Sequence, residues 1–332
     1  MDGPQIKALA HRLNQLLFNQ LVVRIDVPAD RWQANVLLKH CAGQHIRRIY
    51  SHGRWLLWNF SHGISWACYP LRRWRWSIEF PEPDLGSGPS LLRSVGMAAA
   101  PLVPPAAVLV SPAVSPLLLT PGPRPLLRMT LADGRRICLS GRPLFLILLT
   151  EGLLRHPEIS SMGPDILADQ FSKTQWVYRL RHEGGKTISQ ALLEQNVAAG
   201  IGNQTKCEIL FAARVHPSTH ITTLSREELD QLAKVALDLM MAQFRAALSP
   251  IAAPPVPRRV FDRAGEPCDV CSTPIAVDRS GCDNRWSWYC PNCQPAREEP
   301  MLFTPDHSQL PIEESSDPDG MKAAPEEMEK NS

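Results

Sequence analysis

Two cysteine pairs near the end of the chain, Cys268-x2-Cys271 and Cys290-x2-Cys293, limit the possible folds more than any other feature. Eighteen residues separate the pairs. Two such knuckles, each at a turn of a ribbon, can close a tetrahedral thiolate shell around Zn²⁺. Four thiolate ligands leave no open position, so one structural Zn²⁺ per chain is expected, stiffening the hairpin between the pairs. Five of the nine cysteines crowd between Cys268 and Cys293, and the spare one, Cys282, reads as a free thiol. The first residues lack a basic segment followed by an apolar core, so the cysteines read as metal ligands rather than disulfides. A cytoplasmic or nucleoid location is expected (nuclear in a eukaryote), without secretion.

The chain has 332 residues, enough for more than one core, with 44% apolar residues and a formal net charge of +2. That charge is uneven. Residues 298–332 are acidic and polar and read as a disordered tail, which leaves a more basic body. The apolar stretch from Leu91 to Leu119 contains Arg93 and is broken by Pro101, Pro104, Pro105, Pro112 and Pro116, so no membrane span is expected there.

Ile6, Leu9, Leu13, Leu16 and Leu17 share a helical face that begins near Pro4. Short runs with strand character follow at Leu21–Val27, Asn35–Leu38, His45–Tyr50, Trp55–Phe60, Ile64–Tyr69 and Trp74–Phe80. Hairpin signals stand at Ser61–Gly63 and at Asp133-Gly134. Helical patterns then run through Leu144–Leu154, Ser172–Arg181, Ile188–Glu194, Gln204–Arg214 and Arg226–Leu248, with a capping box from Ser225 to Glu228. The reading is α+β: an amino-terminal helix plus β-sandwich domain at 1–140, carrying a Pro/Ala-rich insertion at 81–125. A helical domain at 141–255, a four-cysteine zinc-ribbon hairpin at 256–297 and the tail at 298–332 complete it.

Gly200 and Gly202 flank Ile201 between two helical runs, and Asn203 follows them. Two glycines there cost helix stability, about 1 kcal/mol each relative to alanine. Either the chain turns at this point or something approaches its backbone. A glycine turn opening a helix offers free N–H groups to an anion, although a plain interhelical turn fits the same letters. Arg285, beside Trp286 and Trp288 on the cysteine hairpin, can reach a phosphate or stand solvated at the tip.

The stretch "LLEQNVAAGIGNQTKCEILFAARVHP" resembles the helix-two-turn-helix segment of the formamidopyrimidine-DNA glycosylase/endonuclease VIII family of base-excision repair enzymes. "HPEISSMGPDIL", "FDRAGEPCDVC" and "RWSWYCPNCQ" extend the likeness over residues 153–294. It continues more loosely over the first eighty residues through "SHGRWLLWNF". The resemblance implies a monomer that binds lesion-bearing or abasic double-stranded DNA. Gly202, Asn203 and Arg285 match the family's turn and finger positions, and Asn203 and Arg285 are implied to bind the DNA backbone.

The family typically begins Met-Pro-Glu-Gly-Pro, with the proline amine as nucleophile and the glutamate moving protons. This chain begins Met-Asp-Gly-Pro. Asp2 therefore stands at the glutamate position, and Met1, expected to be retained before a bulky aspartate, carries the amine. Arg54 replaces the family's lysine; it keeps a phosphate contact but cannot release a proton at neutral pH. No methionine wedge stands in "YPLRRWRW", where Leu71 or Arg72 is the nearest substitute and Trp74 and Trp76 can equally be core residues. The expected function is a DNA glycosylase/AP lyase with catalytic residues Met1, Asp2 and Arg54 and a weakened lyase step. The alternatives are a degenerate lesion-binding protein and, behind it, a protein scaffold.

Overall fold

The computed structural model describes residues 2–27, 36–70, 74–80, 108–109, 125–141, 143–248, 256–279 and 285–297. Met1, Leu71, Arg72, Cys282, the acidic tail and nearly all of the 81–125 insertion lie outside the described residues.

The first helix, α1 (Gly3–Leu17), buries Ile6, Leu9, Leu13 and Leu17 of the apolar face read from the sequence, while Leu16, placed on that face from the sequence, is exposed. Its start is tied by Gln5 Oε1, which accepts from the Asp2 backbone N–H at 2.9 Å. There follow β1 (Val22–Asp26), α2 (Val36–Lys39), β2 (Ile46–His52), β3 (Trp55–Phe60), β4 (Ile64–Tyr69), β5 (Arg75–Glu79), β6 (Val108–Leu109), β7 (Leu127–Leu131), β8 (Arg136–Ser140) and β9 (Leu144–Leu149). They form a five-stranded sheet in the order β1-β7-β8-β5-β6 and a four-stranded sheet in the order β2-β3-β4-β9. Every pairing is antiparallel. The two sheets share one core with α1. Trp58 of one sheet and Trp76 of the other bring their ring centroids to 4.9 Å. Trp74 and Trp76 are both buried, so the core reading of these residues holds.

The helical half holds α3 (Thr150–Leu153) and α4 (Pro157–Ser160), which bury Leu153 and Ile159 with Trp55, Leu57 and Ala67 of the sandwich, and α5 (Lys173–His182), α6 (Ile188–Leu193), α7 (Asn203–Ala212) and α8 (Arg226–Leu248), packed around a second core. The capping box forms as expected. Ser225 N donates to Glu228 Oε2 at 2.8 Å, and Glu228 N donates to Ser225 Oγ at 3.2 Å. Two short strands, β10 (Ala276–Asp278) and β11 (Ser287–Tyr289), make the cysteine hairpin. Helix α1 bonds to the helical half directly: Lys7 Nζ donates to Leu167 O at 2.7 Å and Arg12 Nη2 to Ala247 O at 2.6 Å.

Two local readings change. Leu144–Leu154 is not one helix; its first six residues are the edge strand β9, paired with β4 from Tyr69↔Leu144 to Ile64↔Leu149. A continuous apolar run carries no period that separates a strand from a buried helix, and a partner strand decides. The stretch read as a strand at Asn35–Leu38 is the short helix α2 where it is described.

Candidate functional site

The glycine turn is filled by the protein's own amino-terminal segment. Gly200 has φ +102°, a backbone conformation that favours glycine, and a Cβ built there would touch Gly3 Cα at 3.4 Å, Gly53 Cα at 3.4 Å and Met240 Cε at 3.5 Å. Gly3 N–H donates to Gly200 O at 2.7 Å. At Gly202, the residue before α7, an added Cβ would lie 1.7 Å from Asp2 Oδ1. Only a residue without a side chain leaves room for the carboxylate at that point.

Three separate pieces of chain therefore meet at residue 200. The amino terminus contributes Asp2 and Gly3. The β2–β3 hairpin contributes Gly53, the neighbour of Arg54, and its tip is held where Asp165 Oδ2 accepts from Gly53 N at 2.9 Å. Asp165 is itself buried and also accepts from Leu167 N at 2.9 Å through Oδ1. The half-buried Arg54 places its guanidinium 5.0 Å from the centre of the Tyr69 ring. Gln195 stitches the turn from inside: its Oε1 accepts from Gly200 N at 3.0 Å, and its Nε2 donates to Ile201 O at 2.9 Å.

Helix α7 is buried on nearly all sides, and its polar residues hold the cysteine hairpin. Asn203 Nδ2 donates to Trp286 O at 3.0 Å, while Asn203 Oδ1 is buried without a hydrogen-bond partner. Lys206, 0% exposed, donates from Nζ to Ser287 Oγ at 2.7 Å. The Glu208 carboxylate accepts from the backbone N–H groups of Arg259 at 2.9 Å, Val260 at 3.2 Å and Phe261 at 2.9 Å. Gln294 closes the joint from the hairpin side, donating from Nε2 to Val215 O at 2.8 Å. Arg285 is exposed, next to Trp286, so it stands beside the Asn203 turn.

The sulfur atoms of Cys268, Cys271, Cys290 and Cys293 all lie within 4.8 Å of one another. Adjacent sulfurs are 3.4 to 3.9 Å apart, too far for disulfides. A tetrahedron of thiolates around Zn²⁺, with Zn–S of about 2.3 Å, needs S···S near 3.8 Å. Hydrogen bonds from Thr273 and then Asn292 draw the Cys271 thiol down to about 5, whereas burial and the neighbouring thiols push Cys293 up to about 12. Four thiolates this close cannot all stay charged without a cation at their centre, so the donor set fits a divalent metal.

Asp2, Gly202 and Asn203 are thus brought together at the Gly200–Asn203 turn, which also meets Gly53, the neighbour of Arg54, and the carbonyl of Trp286, the neighbour of Arg285; Met1 lies outside the described residues. The sequence reading missed Asp165, Gln195, Thr205, Lys206, Glu208 and Gln294. Their one visible sign is a helix that carries Lys206 and Glu208 at positions that cannot both face solvent if its apolar residues are buried. A cavity of about 590 Å³, lined in part by Lys7, His11, Arg48, His52 and Asp165, opens along α1 and includes none of the site residues expected from the sequence.

A family model described as the formamidopyrimidine-DNA glycosylase H2TH domain matches residues 162–250. The formamidopyrimidine-DNA glycosylase of Geobacter sulfurreducens is 33% identical over 197 residues, covering 56% of this chain and 70% of the relative. The chain belongs to this family. A second family member, from Methylococcus capsulatus, is 31% identical over 150 residues, and there the match spans about half of the relative, 54%. In architecture the chain is similar to the Lactococcus lactis enzyme solved in complex with abasic-site DNA. The TM-score is 0.68 at 19% identity, over 89% of this chain and 100% of that one. The same enzyme bound to Fapy-dG-containing DNA aligns with a TM-score of 0.68 at 18% identity, over 88% of this chain and 99% of that one. Among the described residues no helix is long and apolar enough to cross a membrane.

Proposed function

We propose that this family member is a DNA glycosylase acting as a monomer on double-stranded DNA that carries a damaged base or an abasic site. The observation that supports it most is the meeting of Gly3, Gly53 and Gly200, because it ties the amino terminus to both the Arg54 hairpin and the Asn203 turn. A flipped nucleotide held by backbone contacts at Asn203, Gly202 and Arg285 is thereby delivered to the first amine of the chain. The Met1 α-amine, whose ordinary pKa of about 7.7–8.0 leaves an unprotonated fraction at neutral pH, attacks C1′. The bond from C1′ to the base breaks, the base leaves with the electron pair and a proton, and Asp2 carries protons between amine and sugar. Loss of the amine proton and opening of the sugar ring give a Schiff base.

Arg54 holds a phosphate but cannot act as a proton donor and acceptor in the following elimination, so strand cleavage lags behind base removal. Cys268, Cys271, Cys290 and Cys293 would hold one Zn²⁺, whose chemistry here is structural: it keeps the Arg285 hairpin rigid. The protein is placed by this reading in the compartment that holds DNA, the cytoplasm and nucleoid or a nucleus.

Borohydride reduction in the presence of abasic-site duplex tests the reading. A covalent adduct mapped to the amino-terminal residue is expected. Specific binding to the abasic duplex with no adduct would replace it with the lesion-binding reading, in which excision is lost.

A further inference from the structure

Asp2 is half-buried, and its carboxylate is directed at the first turn of α7. Asp2 Oδ2 accepts from the Thr205 N–H at 3.2 Å and from the Thr205 hydroxyl at 2.6 Å. Its other oxygen lies against the bare Cα of Gly202. Thr205 is 1% exposed, and the second neighbour of its hydroxyl is Gln243 Oε1 of α8 at 3.4 Å. The hydroxyl has one proton and two acceptors, and the shorter contact takes it.

A helical threonine commonly bonds back to the carbonyl four residues earlier. Here Ile201 O accepts from Gln195 Nε2 at 2.9 Å, and the Thr205 hydroxyl donates to Asp2 Oδ2 at 2.6 Å. An aspartate reaches less far than a glutamate by one C–C bond, roughly 1.5 Å. The absence of a side chain at Gly202 and the presence of the Thr205 hydroxyl together close that gap from the helix side.

We propose that Thr205 is a positioning residue for excision. It anchors the Asp2 carboxylate, the group that moves protons in the proposed excision, to α7, beside the Gly3 N to Gly200 O bond. This rests on the glycosylase reading above. In this arrangement the helix that follows the glycine turn holds the carboxylate through two hydrogen bonds from one residue.

The test uses the full-length, zinc-loaded protein as wild type, Thr205→Val and Thr205→Ser. Valine keeps the shape and removes the hydroxyl; serine restores the hydroxyl. With abasic-duplex affinity unchanged within about twofold, the single-turnover trapping rate of Thr205→Val should fall about 10- to 100-fold, the weight of one hydrogen bond to a charged group. Thr205→Ser should recover most of it. Amide hydrogen exchange over residues 2–5 supplies a readout independent of DNA chemistry; it should quicken in Thr205→Val and not in Thr205→Ser. Equal trapping by all three proteins, or exchange that valine leaves unchanged, overturns the positioning role while leaving the glycosylase reading intact. No adduct from the wild type overturns the glycosylase reading, and this role in excision with it.

Discussion

Asn203 Nδ2 donates to the backbone carbonyl of Trp286 at 3.0 Å. The bond joins the glycine turn of the helical half to the hairpin braced by the four cysteines. It also sets Arg285, the residue before Trp286, beside Asn203. With Lys206 on Ser287 and Glu208 on the 259–261 backbone, helix α7 and the ribbon form one mechanical unit.

Replacing Arg285 by alanine removes an exposed charge and disturbs little packing. Affinity should fall to a similar degree for lesion-bearing and intact duplexes, and the slope of log K against log salt should become shallower by about 1. Fluorescence anisotropy at several salt concentrations measures both. An unchanged slope would remove Arg285 from the phosphate contacts.

Gly202→Ala should be among the most damaging single changes at the site. The new methyl would lie 1.7 Å from Asp2 Oδ1, so the carboxylate or the helix start must move. A stability loss of about 1–3 kcal/mol is expected from overpacking, with a larger loss of adduct formation than of DNA affinity. Denaturant unfolding and borohydride trapping on the same preparation separate the two effects.

Removing the metal should loosen the ribbon first, because its strands are only three residues long each and their core includes Cys268 and Cys290. Chelation is expected to weaken abasic-duplex binding at least tenfold, the roughly 1.4 kcal/mol of one charge-assisted contact. The sandwich core around Trp58 and Trp76 contains none of the four ligands and should keep its tryptophan emission. Readdition of Zn²⁺ should restore binding.

Arg54→Lys returns a side chain that can release a proton. It should raise strand cleavage relative to base release, with little change in affinity. Gel separation of alkali-treated and untreated products gives the ratio directly; a ratio unmoved by the lysine would mean that position 54 does not limit elimination.

The sequence by itself determined the elements whose signal is local. The apolar face of α1, the hairpins at Ser61–Gly63 and Asp133-Gly134, the Ser225–Glu228 capping box and the cysteine knuckles each depend on residues close together in the chain, where spacing alone sets the geometry. It marked Gly200 and Gly202 as either a turn or a place of close approach, with an anion as the candidate visitor. Only the tertiary structure decided that the visitors are Gly3, Gly53 and the Asp2 carboxylate, from residues far away in the chain. The same holds for Leu144–Leu149, a strand because β4 lies beside it, and for Thr205, Lys206 and Glu208, polar residues buried because their partners come from Asp2, the cysteine hairpin and the 259–261 segment. A buried polar group is tolerated only where a partner meets it, and that partner is named by the fold, not by the neighbouring letters.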